Sequence, residues 1–302
     1  MSGPLVSIII PNYNYGDFIA SAIESALNQS YPNVETIVVD DGSSDSSCAV
    51  MASYSGRIDA IVKKNGGPSS ARNAGIRLSR GELLLFLDSD DILFPRAVEK
   101  LVNAYLVGGS DQLVYGDSLF FHGSASWSVK RRNPSGHIWR ELLNGNFICC
   151  HEVLVLRRLV LEENGFDEAM RMCEDFDFWL RLARHHEFRH VNVTVAQRRF
   201  HESMTSNLAD ELQRGAGAAL KKQWCYARCW LDKLAIASAR GKNFHQQAYL
   251  AKVRTDYALM RRLSCASVRW QPWRIKNWLY LGASFLFLIC TQILRKKPSA
   301  HN

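Results

Sequence analysis

A run of apolar residues followed directly by acids restricts the possible folds of this chain more than any other feature. Leu83-Leu84-Leu85-Phe86-Leu87 holds five consecutive large apolar residues, and Asp88-Ser89-Asp90-Asp91 follows at once. Five residues are too few for a membrane span, so we predict a strand that is covered on both faces, as in a parallel sheet. The acids then lie at the carboxyl end of a buried strand, where open α/β sheets bind their ligands.

The same three acids predict a site for a divalent cation. Asp88, Asp90 and Asp91 lie within four residues and would repel one another unless a cation neutralised them or some became protonated. Oxygen ligands of this kind suit Mg²⁺ or Mn²⁺, which commonly join protein carboxylates to substrate phosphates. Taken alone, an Asp-x-Asp pair is more often an exposed turn that caps a helix. The assignment therefore depends on the rest of the chain.

The first 90 residues alternate between short apolar runs and helical patterns. The other predicted strands are Val6–Ile10, Val34–Val39 and Arg57–Val62. The second of them ends at Asp40-Asp41-Gly42, so acids again follow a strand. Short connections in the order β-α-β-α-β-α-β favour a doubly wound, mainly parallel sheet. A helix that opens near Ser69 could present its free N–H groups, together with Arg72, to an anion.

Six segments, in this order and spacing, resemble the inverting GT-A glycosyltransferases of family 2. They are Val6-Ser7-Ile8-Ile9-Ile10-Pro11-Asn12-Tyr13-Asn14, Val39-Asp40-Asp41-Gly42-Ser43-Ser44-Asp45, Ala71-Arg72-Asn73-Ala74-Gly75, Phe86-Leu87-Asp88-Ser89-Asp90-Asp91, Gly165-Phe166-Asp167-Glu168, and Glu174-Asp175 before Trp179. The resemblance runs over residues 6–206 and implies a Rossmann-like α/β GT-A fold and a transferase that uses a nucleotide sugar. We therefore expect a catalytic domain over 1–209, with a nucleotide-binding half to about 117 and an acceptor half over 118–209. A helical extension over 210–268 and a tail over 269–302 would follow.

The resemblance implies five residues that bind the nucleotide sugar, namely Pro11, Tyr13, Asp41, Arg72 and Asp88. Tyr13 would stack on the nucleobase, and Asp41 would accept the imide N–H of uracil, which favours a UDP-sugar. Arg72 would neutralise and orient the nucleotide, a role that suits a planar guanidinium. Without the resemblance, Tyr13 would be a packed loop aromatic, Asp41 a helix cap and Arg72 a surface cation.

The resemblance also implies the metal ligands and the base. Asp90 would be the principal ligand of Mg²⁺ or Mn²⁺, with Asp88 in the metal shell and His201 completing it. His201 could equally be an ordinary surface or core histidine. Asp175 matches the general base that removes the proton of the acceptor hydroxyl, whereas Glu174 would be an acceptor-site or structural carboxylate. The alternative is that both acids cap the helix. This alternative would be favoured if the two acids stood alone, without the other five segments.

The carboxyl-terminal third carries the positive charge of the chain. Residues 210–302 hold 17 Lys and Arg against 4 Asp and Glu, a net charge of +13. Because the whole chain has a net charge of +8, the first 209 residues carry −5. Such a tail could meet an anionic membrane surface, whereas the absence of RNA-binding aromatic motifs argues against nucleic acid. We predict helices over Ala218–Ala239 and Phe244–Leu263, with a break at Gly241.

A last apolar helix over Leu279–Leu294 would be roughly 24 Å long, short of a membrane core of roughly 30 Å. Tryptophans and cations flank it, so an interfacial anchor and a helix packed on the protein both remain open, and a true span is a third possibility. The first residues lack the pattern of a secretory signal. We therefore expect a cytoplasmic protein, peripheral to the membrane if the last helix is an anchor.

Two other classes of protein fit part of the sequence. Haloacid-dehalogenase phosphatases also have an Asp-x-Asp after an apolar strand, but on their first strand, whereas here it follows the fourth. A non-catalytic, membrane-associated adaptor with a degenerate transferase fold is the other class. The presence of Asp88, Asp90 and Asp175 argues against it. The expected acceptor of the transferase is a saccharide or a lipid-linked molecule.

Overall fold

The computed structural model describes residues 3–109, 111–128, 133–201 and 208–295, with backbone alone over 288–295. The chain divides into two compact units, Met1–Asn207 and Leu208–Asn302. Each unit has its own buried core.

The first four strands form a parallel sheet, as the apolar runs predict. They are β1 (Val6–Asn12), β2 (Val34–Asp40), β3 (Asp59–Val62) and β4 (Leu83–Phe86), and they lie side by side in the order β3-β2-β1-β4. Every residue of β1 and β4 is buried, because helices α1 (Gly16–Leu27), α2 (Ser47–Ala52) and α3 (Pro68–Leu78) fill the connections. The carboxyl ends of β1, β2 and β4 consequently meet at one edge.

Helix α3 lies unusually close to the sheet. It starts with Pro68 in its first turn, where a missing N–H costs nothing. A Cβ at Gly75 would lie 2.4 Å from Cγ2 of Ile9, so only glycine permits this contact between helix and strand. The close approach buries Arg72, which a helix farther from the sheet would expose to solvent.

The second half of the first unit continues the same sheet. Its strands are β5 (Ile92–Leu93), β6 (Gln112–His122), β7 (Ala125–Trp127), β8 (Val153–Leu156) and β9 (Glu187–Arg199). Strand β8 lies antiparallel between β4 and β6, and β9 runs parallel to β6, so β9 ends at the same edge as β4. The full order is β3-β2-β1-β4-β8-β6-β9-β5, with β7 beside β6. Helices α4 (Ala97–Gly108), α5 (Trp139–Leu142), α6 (Arg157–Glu162) and α7 (Glu174–Leu182) complete the unit.

The second unit is helical, but the predicted helix ends are wrong. Its helices are α8 (Ala209–Gln223), α9 (Trp230–Val253), α10 (Tyr257–Trp270) and α11 (Ile275–Arg295). Gly241 lies inside α9 because a Cβ there would meet Cβ of Gln271 at 2.5 Å, so the glycine allows close helix packing and does not end the helix. The chain turns instead at Thr255, whose φ is 60°, and Asp256 caps α10 by accepting from the N–H of Leu259.

The predicted tail helix begins earlier than expected. Helix α11 starts at Ile275, four residues before the predicted Leu279, and the basic residues Lys296 and Lys297 lie outside the described residues. Tyr280 and Ala283 of this helix pack on a small core of Ala248, Ala251 and Met260. Among the described helices, none combines the length and the apolar character needed to cross a membrane.

Candidate active site

The loop after β2 is held in place by Asp40. Its Oδ1 accepts from the backbone N–H of Gly42 and Ser43 at 3.1 and 2.8 Å, and its Oδ2 accepts from Nδ2 of Asn12 at 2.8 Å. Asn12 is the last residue of β1, so the bond joins the ends of two neighbouring strands. Asp40 is buried, and its hydrogen bonds stabilise this edge of the sheet.

Asp41 organises the loop that leads into α3. Its carboxylate accepts from Nζ of Lys63 at 2.6 Å, from the N–H of Gly66 at 3.0 Å and from the N–H of Gly67 at 2.6 Å. The Asp41 side chain is 3% exposed and Lys63 covers it. Asp41 therefore fixes the entrance to the helix that carries Arg72.

Pro11 and Tyr13 lie at the end of β1. Pro11 is buried and pairs with Val39 of β2 in the register of the sheet. Tyr13 has 47% of its surface exposed, just beyond the strand. An exposed ring at this edge is available to stack on a planar ligand.

Arg72 joins two segments that are 86 residues apart in the chain. Its Nη2 donates to Oδ1 of Asp88 at 2.6 Å, and its Nη1 donates to Oε1 of Glu174 at 2.7 Å. The guanidinium also lies 5.3 Å from the centre of the Phe166 ring. Burial opposes the charge of Asp88, but Arg72 outweighs it, so the pKa of Asp88 lies below its usual value. Both acids thus form short ion pairs with one buried cation.

The neighbouring residue Asn73 reinforces this connection. Its Nδ2 donates to the carbonyl oxygen of Phe166 at 2.8 Å, and its Oδ1 accepts from the N–H of Phe166 at 2.9 Å. Two of the six sequence segments, that of Arg72-Asn73 and that of Gly165-Phe166, therefore form a single contact. Phe166 in turn packs on Phe178 of α7, with the ring centres 4.3 Å apart.

Asp175 stands at the start of α7, beside Glu174. Its Oδ2 accepts from Nδ2 of Asn146 at 2.8 Å and its Oδ1 from the N–H of Phe176 at 2.7 Å. Burial, and then the charge of Glu174, raise the pKa of Asp175 to about 6, although Arg72 opposes the shift. Such a carboxylate is ionised at neutral pH and is a stronger base than an ordinary aspartate.

Asp90 lies beside His201, which follows the end of β9. The Nε2 of His201 is 3.0 Å from Oδ2 of Asp90. Burial, and then the charges of Asp91 and Asp88, raise the pKa of Asp90 to about 6. An acid whose charge is opposed by its neighbours is a suitable place for a cation.

A family model described as glycosyl transferase family 2 matches residues 7–165, more than half of the chain. The chain belongs to glycosyl transferase family 2. The matched residues include the ends of β1, β2 and β4 and the helix that carries Arg72. The phosphatase interpretation is therefore wrong, and the protein is a glycosyltransferase.

Several relatives support the family 2 assignment. A glycosyltransferase of Rickettsia prowazekii, itself uncharacterised, is 34% identical over 216 residues, which are 68% of this chain and 67% of the relative. Chondroitin synthase of Escherichia coli is 33% identical over 221 residues, 70% of this chain but 31% of that enzyme. Hyaluronan synthase of Pasteurella multocida is 32% identical, with 67% and 21% covered. The chain thus matches only one part of the long synthases.

Solved structures confirm the GT-A fold of this family 2 enzyme. TarS of S. aureus in complex with UDP-GlcNAc matches with a TM-score of 0.66 and 17% identity, covering 88% of this chain and 81% of the TarS chain. A mannosyltransferase of Pyrobaculum calidifontis in complex with GDP-Man and Mn²⁺ has a TM-score of 0.59 and 15% identity, with 98% and 88% covered. Identities this low show the fold alone.

The structure brings most of the predicted site residues of this family 2 enzyme together in two groups. Arg72 and Asp88 lie with the start of α7, and so with Asp175, whereas Asp90 lies with His201. Asp41 bonds to a third set of partners at the entrance to α3. Glu174, predicted to be an acceptor-site or structural carboxylate, is an ion-pair partner of Arg72.

Sequence reasoning missed a buried histidine, His151, which contacts one of the acids that follow β4. The Nδ1 of His151 lies 2.7 Å from Oδ2 of Asp91, and both residues are buried. Burial disfavours a charged ring, but Asp91 outweighs burial and raises the pKa of His151 well above its usual value. Ligand atoms of Asp88, Asp91 and His151 lie within 4.8 Å of one another, yet the contact with Asp91 already engages His151. We assign the pair a supporting role.

A second missed group connects β9 to the same acids. Asp91 Oδ1 accepts from the N–H of Arg199 at 2.9 Å, and Nε of Arg199 donates to the carbonyl oxygen of Asp90 at 3.1 Å. The neighbouring Arg198 contributes positive charge, which acts on Asp88 and lowers its pKa. The signal that could have found these residues is the pair Arg198-Arg199 at the end of a strand, separated from His201 by Phe200 alone.

Proposed function

We propose that this family 2 enzyme is metal-dependent and inverting, and that it moves a sugar from a UDP-sugar to a hydroxyl of a saccharide or lipid-linked acceptor. The observation that carries this proposal is the bonding of Arg72 to both Asp88 and Glu174. Through Arg72, the start of α7, with Asp175, lies beside the acids that follow β4. Donor-side acids and a single base then border the same site.

Asp175 is the proposed base. The oxygen of the acceptor hydroxyl attacks C1 of the sugar, the bond from C1 to the diphosphate oxygen breaks, and the diphosphate leaves with the bonding electrons. The hydroxyl proton passes to the carboxylate of Asp175, whose pKa of about 6 suits it to this task at neutral pH. A single displacement of this kind inverts the configuration at C1.

Asp88, Asp90 and His201 are the proposed ligands of Mg²⁺ or Mn²⁺. Asp90, in contact with His201, fits a cation because burial and neighbouring acids raise its pKa, a cost that a bound cation would remove. When bound, the cation would neutralise charge on the departing diphosphate as a Lewis acid. The mannosyltransferase of similar fold was solved with Mn²⁺, which supports this choice.

The proposed nucleotide site uses the ends of β1 and β2. Tyr13 would stack on the base, and Asp41 with its loop and Pro11 would border the uracil. The TarS complexes with UDP-GlcNAc and UDP support a uridine donor, whereas the GDP-Man complex of the mannosyltransferase keeps guanosine as the alternative. Relatives named chondroitin synthase and hyaluronan synthase favour a saccharide acceptor, in the synthesis of surface polysaccharide or glycolipid.

Titration calorimetry with UDP, dTDP and GDP tests this proposal. We expect UDP to bind most tightly of the three, and only in the presence of Mn²⁺ or Mg²⁺. In Asp90→Ala, UDP should bind weakly whether or not the metal is present. Asp111→Asn is the matched control, because Asp111 is an exposed acid in a surface ion pair with Arg158. UDP binding of equal strength in chelator and in Mn²⁺ would refute the metal site, and preference for GDP would refute the uridine donor.

A further inference from the structure

Helix α11 exposes a row of large apolar side chains. Ile275, Trp278, Leu279, Phe285 and Leu286, here called the apolar stripe, have between 46% and 74% of their surface exposed. Their spacing of three, four and seven residues places all five on one side of the helix. Gly282, between them on the same side, is exposed as well.

The opposite side of α11 faces the protein and carries Asn277 and Ser284 besides Tyr280 and Ala283, which pack on the core of this unit. Asn277 and Ser284, seven residues apart, are fully buried there. Nδ2 of Asn277 donates to the carbonyl oxygens of Ser267 and Gln271 at 3.3 and 3.2 Å, which joins α11 to α10. The protein-facing side of this helix thus mixes polar, small and aromatic residues, while the apolar stripe on the other side stays uncovered. A contiguous exposed apolar surface of this kind marks an interaction site.

The segment of the chain that contains the apolar stripe carries charge of one sign. From Tyr257 to Asn302 the sequence contains eight Lys and Arg and not a single Asp or Glu. Arg269 and Lys276 are exposed near the start of α11. A second copy of this chain would bring equal positive charge against the stripe, whereas an anionic surface would complement it.

We propose that the apolar stripe of α11 docks on the surface of a bilayer that contains anionic lipid. The stripe would enter the boundary between headgroups and acyl chains, while Arg269, Lys276 and their neighbours meet the lipid phosphates. Trp273 and Trp278 are half exposed, and tryptophan is the side chain that favours this boundary. Nε1 of Trp278 donates to the carbonyl oxygen of Pro272, so the indole enters the lipid with its polar atom satisfied. This docking does not depend on the proposed donor or metal.

Vesicle co-sedimentation of the full chain tests the proposal. One set of vesicles is phosphatidylcholine alone, and the other is phosphatidylcholine and phosphatidylglycerol in equal parts. We expect binding to the anionic vesicles that weakens as salt rises, and binding at least about tenfold weaker to the neutral vesicles. Equal binding to both kinds of vesicle, or binding to neither, would overturn the proposal.

Paired substitutions assign the binding to the stripe. Leu279→Glu with Leu286→Glu should lower the partition coefficient on anionic vesicles by about tenfold or more, because two charges would have to enter the acyl boundary. Both side chains are exposed, so the fold should persist, and circular dichroism checks this. The matched control is Val107→Glu, a 78% exposed apolar residue on α4 of the other unit, which should bind as the wild type does.

Substitution of the cations separates charge from apolar contact. Arg269→Gln with Lys276→Gln should lower the affinity for anionic vesicles and flatten its salt dependence, with no change on neutral vesicles. Unchanged vesicle binding in the Leu279→Glu, Leu286→Glu protein would overturn the proposal. So would a dimer, seen by light scattering, that these substitutions dissociate, because a second copy would then cover the stripe. UDP binding, measured in parallel, reports separately on the proposed transferase site.

Discussion

Two sets of carboxylates in the candidate site are held in opposite ways. Asp40 and Asp41, at the end of β2, accept hydrogen bonds from backbone N–H groups, and Asp41 also accepts from Lys63. Asp90 and Asp175 lie among other acids, and each has a pKa of about 6. The charges of Asp40 and Asp41 stabilise loops. The charges of Asp90 and Asp175 are only partly compensated by the protein. Uncompensated charge is what a cation or a transferred proton can use.

The largest effect that can break this contrast is the loss of Asp175. Asp175→Asn should lower kcat by about 10³-fold, since a positioned general base contributes roughly 10²–10⁴-fold. The affinity for UDP, measured by calorimetry, should stay within about twofold, because an amide keeps the shape of the side chain and can still accept one of its two hydrogen bonds. Asp111→Asn serves again as control. An active Asn variant would remove Asp175 as the base.

The acids after β2 should respond through structure. Asp41→Asn replaces a carboxylate that faces Lys63 and two backbone donors, so we expect a loss of about 1–3 kcal/mol in the free energy of unfolding. The loop before α3 should loosen, and UDP should bind more weakly. Denaturant titration measures the first effect and calorimetry the second.

Asp59→Asn, which alters an exposed acid on β3, is the matched control for Asp41→Asn. A stable Asp41→Asn protein with weakened UDP binding would mean that Asp41 contacts the nucleotide directly. Its carboxylate would then give up the ion pair with Lys63 and bind the uracil. A stable protein with normal binding would contradict both roles of Asp41.

The pH dependence of catalysis sharpens the assignment of Asp175. Its folded-state pKa of about 6 means that the carboxylate becomes protonated, and inactive as a base, as the pH falls through 6. Below that value kcat should drop by about tenfold per pH unit, with a plateau above pH 7. Initial rates between pH 5 and 8, in saturating donor and metal, measure this. The low-pH decline should be absent from the residual activity of Asp175→Asn.

The smallest expected effect concerns Asp90 in the absence of metal. Because the pKa of Asp90 is raised to about 6 in the folded protein, the folded state binds more protons than the unfolded state between about pH 4 and 6, so stability falls as the pH rises through this window. At pH 8 in chelator, Asp90→Asn should therefore be more stable by about 1–2 kcal/mol. Thermal unfolding should show Mn²⁺ raising the Tm of the wild type but not of the variant. A variant less stable in chelator would contradict the raised pKa.

The fold was largely predictable from local pattern. Strands such as β1 and β4 are buried on both faces, so each is an unbroken apolar run, and the polar residue that ends the run marks the edge of the sheet. The same reasoning put Asp41 and Asp88 at one edge. It fails in the second unit, where the sequence predicts a break at Gly241 although this glycine allows a contact with Gln271, a residue 30 positions away.

The supporting residues of the site could not be predicted for a related reason. His151 reaches Asp91 across 60 positions, from a 3₁₀ turn at Cys150–Glu152 that has no periodic pattern of its own. Asn146 likewise contacts Asp175 from an irregular loop. Such contacts depend on the pairing of β8 with β4, which brings the turn beneath the acids. Only the assembled sheet contains that information.

The two bonds of Arg72 have a consequence for sequence change in this protein. Replacing Arg72 by any shorter or uncharged side chain would leave Asp88 and Glu174 facing one another with no cation between them. Replacing either acid alone would leave half of the guanidinium without its partner in a buried place. Substitutions at these three positions should therefore occur together in evolution. A change at one of them should require a compensating change at another.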